Sequence, residues 1–240
     1  MKDSNNRLLL GLTALFGTVG AGLYVLVMND AIDHKGLLLP LHPANLGLWA
    51  VSLGFVALMW FLVKGRLGEN GTYGDSFPQC RIRFGLSLAA GALLACESVQ
   101  QLAGGNALVG VLGLLAAVGM AMGGLCRMQG KRPLPLYHIL VCLFFIARLV
   151  TSFQSWSADP QFQDYAMQLL ASVSLMLFAF HRASSDADLM DREALARSSL
   201  FGAYFSMVSL SDAAMPLLYA AGALWAIGAG PDLKRLAKED

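Results

Sequence analysis

The hydrophobic residues of this chain fall into long runs separated by short charged or proline-containing segments. A helix needs about 20 residues to cross the roughly 30 Å core of a bilayer, so runs near that length predict membrane spans. Six such runs are plain, at 8–28, 46–63, 84–103, 107–126, 136–153 and 165–180. We therefore expect an all-α, polytopic membrane helix bundle, with residues 1–240 forming a single transmembrane domain.

The last apolar stretch is too long for one span. Residues 198–230 are apolar apart from Asp212, and one helix of that length would measure about 50 Å. Two helices, at 192–211 and 212–230, both have suitable lengths, with Ser211 or Asp212 as the N-cap and Pro216 in the first turn of the second. This division predicts eight transmembrane helices, with seven as the alternative.

The distribution of lysine and arginine favours eight spans. Cytoplasmic loops carry an excess of these residues. Eight spans with both termini in the cytoplasm place 15 of the 17 lysines and arginines inside, leaving Lys35 outside and Arg148 within a span. Seven spans would move Lys234, Arg235 and Lys238 outside. We therefore expect a multi-pass protein of the cell membrane whose N-terminus and C-terminus are both cytoplasmic.

The composition narrows the classes of function. Hydrophobic residues make up 56% of the chain and charged residues 14%, against roughly 25% charged in soluble domains. The net charge of +1 offers no field to attract nucleic acid. No HExxH, GxSxG, P-loop or dinucleotide-binding pattern occurs. We expect the lipid bilayer as surroundings and no nucleic acid, cofactor, metal or catalytic residue, with an unrecognised membrane enzyme as the lesser alternative.

Two ionisable residues, Glu97 and Arg148, lie deep within predicted spans. Placing a charge near the bilayer centre costs about 2.5 to 3.5 kcal/mol on insertion scales, so such residues are the first candidates for function. Each lies about 8 to 9 Å below the predicted outer boundary. An ion pair would be the least costly way for both to exist there, because each would otherwise be an unpaired charge.

Polar stripes surround this predicted pair in the outer half of the spans. Residues three and four positions apart share a helix face, as in the sets Glu97/Gln100/Gln101, Arg148/Thr151/Ser152 and Asp164/Gln168/Ser172. Polar groups at membrane depth are tolerated where they line a water-filled cavity. The pattern predicts an outward-facing pocket with these ligand-binding residues: Glu97, Gln100, Gln101, Arg148, Ser152, Gln168 and Asp212.

These features predict a small-solute transporter or a substrate-binding membrane subunit that takes a small polar or charged solute. Glu97 would act as charge partner or proton carrier, and Arg148 as counter-ion or anion contact. The alternative is a non-enzymatic structural or sensory subunit that assembles with another membrane protein. In that case the Glu97/Arg148 pair would only fix the register of two helices.

Overall fold

A computed structural model of the chain describes residues 4–31, 38–39, 41–64, 73–156, 165–211 and 215–232. Every regular element in these ranges is a helix, as the hydrophobic pattern predicts. In chain order the helices are α1 (Ser4–Asp30), α2 (Pro43–Val63), α3 (Tyr73–Ser76), α4 (Arg81–Ala103), α5 (Ala107–Met128), α6 (Pro135–Trp156), α7 (Ala166–Asp186), α8 (Arg192–Ser209) and α9 (Pro216–Ala229).

Six helices, α1, α2 and α4 to α7, are long and apolar enough to cross a membrane. Large apolar side chains on their outer faces are exposed, as on a lipid-facing surface; Leu15, Phe61 and Val118 are each more than half exposed. These helices indicate a multi-pass membrane protein. Helix α8 is not among these six, and helix α9 is apolar but has only 14 residues. The count of eight spans and the sides of the termini therefore stay predictions.

The last helix begins later than the sequence predicts. Helix α9 starts at Pro216 and its N-cap is Met215, whose side chain makes no capping bond. Ser211, a predicted cap, instead donates a hydrogen bond of 2.9 Å from its hydroxyl to the carbonyl oxygen of Val208 at the end of α8. Proline lacks an N–H and has a helical φ, so it favours the first helical position over the interior. Asp212 lies outside the described residues.

Helix α7 ends later than predicted, at Asp186 rather than near Phe180. Some polar side chains of the added turns have partners within the helix. Ser184 and Ser185 donate hydrogen bonds of 3.0 and 2.8 Å to carbonyl oxygens four residues earlier, and Arg182 pairs with Asp186 at i, i+4. This extension places a cation and a carboxylate inside the bundle.

Helices α4 to α9 pack in sequence order, and α9 returns to α4 so that the group closes. Helices α1 and α2 pack against each other and against α8. Helix α9 also contacts α5 and α7, and its Trp225 is fully buried beside Phe178 of α7 and His138 of α6. Thus α9 is enclosed by the other helices.

Glycine permits the closest helix contacts. A Cβ atom on Gly119 of α5 would lie 2.4 Å from the carbonyl oxygen of Tyr137 in α6, and one on Gly91 of α4 would lie 2.8 Å from the carbonyl oxygen of Ala117 in α5. Neither backbone atom can move aside cheaply. Small residues at these crossings therefore set the distances between helices.

Candidate functional site

We call the ends of the bundle outer and inner, after the predicted topology. The outer end contains Ala103, Trp156, Ala166 and Pro216, and the inner end contains Arg81, Met128, Pro135, Asp186 and Ala229. Polar side chains concentrate at both ends.

Glu97 lies in α4 near the outer end and is 5% exposed. Its Oε1 accepts a hydrogen bond of 2.9 Å from Gln101 Nε2, one helical turn further on. Gln101 Oε1 accepts a second bond, of 3.1 Å, from Asn106 Nδ2 in the connection to α5. A short polar chain therefore joins the buried carboxylate to the turn between α4 and α5.

Arg148 lies in α6 and is half-buried. Its guanidinium contacts the sulfur atom of Met215, the residue before α9. Glu97 and Tyr219 lie within electrostatic range of this guanidinium. Within the described part of the chain, Glu97 and Arg148 form no direct ion pair. The two charges share a region of the bundle, but the predicted contact between them is absent there.

The other predicted pocket residues divide into three groups. Ser152 and Gln168 are buried, on the neighbouring helices α6 and α7. Gln100 is exposed on α4, whereas Glu97 is buried. Asp164 and Asp212 lie outside the described residues. The structure therefore brings Gln101 to Glu97 and turns Gln100 away.

A second, denser polar group lies at the inner end, where the sequence predicts no site. We call it the inner cluster; it consists of Tyr73, Phe77, Arg83, Arg127, His138, Arg182 and Asp186. Arg127, His138, Arg182 and Asp186 are each at most 4% exposed. The cluster joins the short helix α3 to the inner ends of α4, α5, α6 and α7.

Asp186 is the centre of a hydrogen-bonded network in this cluster. Its Oδ2 lies 2.5 Å from His138 Nδ1, and its Oδ1 accepts a hydrogen bond of 3.1 Å from the Tyr73 hydroxyl. Arg182 Nη2 donates a 2.7 Å bond to the same hydroxyl oxygen. Arg182 Nη1 lies 2.9 Å from Asp186 Oδ1, an ion pair without hydrogen-bond geometry. The carboxylate is therefore compensated from three sides.

Two further arginines bind the carboxyl end of α9. Arg83 Nη1 donates a 2.7 Å hydrogen bond to the carbonyl oxygen of Gly230. Arg127 Nη1 donates bonds of 3.0 and 2.9 Å to the carbonyl oxygens of Gly228 and Gly230, and its Nε donates one of 3.2 Å to that of Pro78. The last carbonyl groups of a helix lack helical partners and carry partial negative charge, which favours cations here.

Helix α3 and the residue after it bring two aromatic rings among these arginines. The guanidinium carbon of Arg182 lies 3.7 Å from the centre of the Phe77 ring and 5.4 Å from that of Tyr73. The guanidinium carbon of Arg127 lies 5.3 Å from the Phe77 centre. Burial raises the pKa of Tyr73 to about 12, although Arg182 opposes the shift. The Tyr73 hydroxyl is therefore neutral and can donate to Asp186.

The sequence carried a partial signal for the inner cluster. Arg182 and Asp186 have the i, i+4 spacing of an intrahelical ion pair, but they fall beyond the predicted end of their span. The excess of lysine and arginine in cytoplasmic loops predicts the side of the membrane on which Arg83 and Arg127 lie. It does not predict that they are buried. No hydrophobic periodicity indicates a helix at Tyr73, because α3 has only four residues, about one helical turn.

His138 and Asp186 form a buried histidine–carboxylate pair. A histidine paired with a carboxylate can act as a general base when it also contacts a nucleophile. In the described ranges, the partners of the His138 side chain are Asp186 and the ring of Trp225, with no hydroxyl or thiol. The described residues also contain no group of three or more histidine, cysteine, aspartate or glutamate side chains suited to a metal ion.

Comparisons with protein-family models, with curated proteins and with solved structures found no match to this chain.

Proposed function

We propose that the protein binds a small polar or charged solute between α4, α6 and α9 at the outer end, and that it serves the cell membrane as a transporter or a substrate-binding subunit. The observation that carries this proposal is the relation of Glu97 to Arg148. The two opposite charges are close enough to interact electrostatically. The contacts of the described residues include no direct bond between the two side chains.

This separation favours a binding role over a purely structural one. A buried pair that fixes helix register would gain most from direct contact, because each uncompensated charge in low dielectric is costly. The Arg148 guanidinium instead contacts a thioether, which is a weak acceptor. Arg148 can therefore form charge-assisted hydrogen bonds with an anionic ligand, and these bonds are stronger than its contact with the thioether.

The charges also suggest the class of solute. Arg148 would contact a carboxylate or another anionic group, and Glu97, whose described partner is the Gln101 amide, would contact a cationic group. A zwitterion, such as an α-amino acid, carries both groups and would bridge the two side chains. A solute with one charge would compensate one of them and leave the other.

Helix α9 connects this site to the inner end of the bundle. It is about 21 Å long, with Met215 contacting Arg148 at one end and Gly230 bound by Arg83 and Arg127 at the other. Between these ends, buried polar atoms in the described part have no hydrogen-bond partner; they are Ser206 Oγ, Ser209 Oγ and Trp225 Nε1. Unpaired polar atoms inside a membrane bundle are costly and are tolerated where function uses them.

A structural or sensory subunit is the second candidate, and the bonds of Gln101 favour it. Gln101 links Glu97 to Asn106 and so ties the carboxylate to the α4–α5 connection. In this candidate Glu97 orders that connection, and the protein acts through another membrane protein.

Single and double substitutions separate the two candidates. The purified protein in nanodiscs is titrated with alanine as a zwitterion, succinate as an anion and choline as a cation, and thermal unfolding is followed. We expect alanine to raise the unfolding temperature more than either singly charged probe. Glu97→Gln and Arg148→Met should each abolish the increase. Gln100→Ala, on the exposed side of the same helix, is the matched control and should retain it.

The double variant gives the opposite result for the structural candidate. Three results together would show that the pair is structural. Glu97→Gln and Arg148→Met would each destabilise the protein, the double variant would restore its stability, and no probe would stabilise the wild type. Uptake of labelled alanine into proteoliposomes then distinguishes a transporter from a subunit that only binds. A probe response that survived all three variants would contradict a site at Glu97 and Arg148.

A further inference from the structure

Arg127 is a buried cation with no carboxylate partner among the described residues. It is 3% exposed, and its described hydrogen bonds go to three carbonyl oxygens, those of Pro78, Gly228 and Gly230. Its Nη2 is buried and has no hydrogen-bond partner among the described residues. Carbonyl groups offset a buried positive charge only in part, so the guanidinium retains the capacity to bind an anion.

Arg182 provides a second, partly compensated cation beside it. Arg182 is 1% exposed, and its Nε also has no hydrogen-bond partner in the described ranges. Its ion pair with Asp186 is shared, because the same carboxylate also bonds His138 and Tyr73. One carboxylate therefore serves several donors.

Among the described residues of the inner cluster together with Asp232, cations outnumber anions. The cations are Arg83, Arg127 and Arg182, and the anions are Asp186 and Asp232. Arg192, which is also buried at this end, is a further cation. Asp232 lies 3.9 Å from Arg83 and Asp186 lies against Arg182, which leaves Arg127 uncompensated when His138 is neutral. A negatively charged ligand would therefore be favoured beside Arg127.

The Phe77 ring contacts both of the arginines concerned. Its centre lies 3.7 Å from the Arg182 guanidinium and 5.3 Å from that of Arg127, and the ring is 3% exposed. The negative face of an aromatic ring attracts a cation, but less strongly than a charge-assisted hydrogen bond does. Phe77 therefore occupies a position in which a true anion would be bound more tightly.

We propose that Arg127 and Arg182 form an anion site for a phosphate group and that the segment Tyr73–Phe77 covers it. Both guanidinium groups have N–H donors without a hydrogen-bond partner among the described residues, and these donors match the several acceptor oxygens of a phosphate. Arg127 lies in the last turn of α5, near the depth of lipid headgroups, so the phosphate comes either from an anionic lipid or from a soluble molecule. When it binds, the Phe77 ring moves away from the two guanidinium groups.

The test compares inorganic phosphate with chloride at equal ionic strength, using the full chain purified in detergent without added lipid. We expect phosphate to raise the unfolding temperature of the wild type more than chloride does. Phe77→Ala should bind phosphate more tightly, because the cover is removed. Arg127→Gln should bind it roughly tenfold to a hundredfold more weakly, as the loss of a charged hydrogen bond predicts.

A matched control and a milder variant keep the result interpretable. Arg197 lies over the Trp60 ring at 4.2 Å and pairs with Glu193, outside the inner cluster, so Arg197→Gln should respond to phosphate as the wild type does. If Phe77→Ala does not fold, Phe77→Leu removes the ring and keeps apolar contact. If Arg127→Gln does not fold, the proposal is tested by whether the Phe77 variants bind phosphate more tightly than the wild type does.

A second arm identifies the source of the phosphate. Nanodiscs of phosphatidylcholine, with and without phosphatidic acid, are compared by thermal unfolding. Stabilisation by phosphatidic acid alone assigns the site to a lipid headgroup, and stabilisation by inorganic phosphate assigns it to a soluble ligand. Equal effects of phosphate and chloride on the wild type and the Phe77 variants, together with no effect of phosphatidic acid, would overturn the proposal. Glu97→Gln should leave every outcome unchanged, which separates this site from the one at the outer end.

Discussion

His138 Nδ1 in α6 and Asp186 Oδ2 in α7 lie 2.5 Å apart at the inner end of the bundle, although 48 positions separate them in the chain. Both side chains are almost fully buried. Because Asp186 also bonds Tyr73 and Arg182, one carboxylate connects three helices. The stability of the inner end should therefore depend strongly on this residue.

Replacement of Asp186 should destabilise the protein strongly. Asp186→Asn removes the negative charge and leaves Arg182 as a buried cation without its counter-ion. Breaking a buried pair in this way costs about 3 to 5 kcal/mol, which thermal or chemical unfolding in detergent would measure. Asp188→Asn is the matched control two residues away. Asp188 is 74% exposed beside Arg132, so the loss of this surface pair should change stability little. Equal effects of the two substitutions would contradict the structure.

Tyr73 should make the protein less stable in alkali. Burial raises its pKa from 10.0 to about 12, so the unfolded state loses the hydroxyl proton at a lower pH than the folded state. The contribution of Tyr73 to the free energy of unfolding is therefore intact below pH 10 and falls as the pH rises from 10 to about 12. Tyr73→Phe should reduce this dependence and should remove one late-titrating group from the tyrosinate absorbance. An unchanged absorbance titration would contradict the burial of this hydroxyl.

The sequence predicted the helices well, because one physical constraint fixes their lengths. Crossing a bilayer requires about 20 apolar residues, and charge or proline interrupts the runs at the bundle ends. The predicted span 107–126, for example, corresponds to α5 at Ala107–Met128. Helix α9 departs from this rule because packing encloses it, so its 14 residues do not have to meet the length of a lipid-exposed span.

The candidate site could be predicted only in part. The i, i+4 relation of Glu97 to Gln101 holds as a hydrogen bond, because it depends on one helix. Gln100 and Gln101 lie about 60° and about 40° to opposite sides of Glu97 around the helix axis. Which of them faces inwards depends on the packing of α4 against α5 and α9, and the sequence of α4 does not contain that information.

The burial of the inner arginines was also beyond sequence reasoning. Arg127 and Lys131 both belong to the same predicted cytoplasmic region, and a rule of topology treats them alike. Arg127 is buried because α9 ends beside it and presents unpaired carbonyl groups. That contact joins residues about a hundred positions apart, so no local pattern indicates it.

A methyl group at the α5–α6 crossing should weaken the bundle. In Gly119→Ala the added Cβ would lie 2.4 Å from the Tyr137 carbonyl oxygen, so the two backbones must separate. Overpacking of this kind costs about 1 to 3 kcal/mol, measurable as a lower unfolding temperature. Gly54→Ala in α2 is the control, because nothing lies within 4 Å of its added Cβ. A Gly119→Ala variant as stable as Gly54→Ala would contradict this close approach.

The C-terminus should lie on the same side of the membrane as the N-terminus, for a reason independent of charge counting. Arg83, in the first turn of α4, donates a hydrogen bond of 2.7 Å to the Gly230 carbonyl oxygen just after α9. The end of α9 therefore lies at the depth where α4 begins. If α1 and α2 both cross the membrane, α4 begins on the side of the N-terminus. Reporters that are active only outside the cytoplasm, fused to either end, should both be inactive. Activity of the C-terminal fusion alone would contradict the eight-span topology and the contact between Arg83 and Gly230 together.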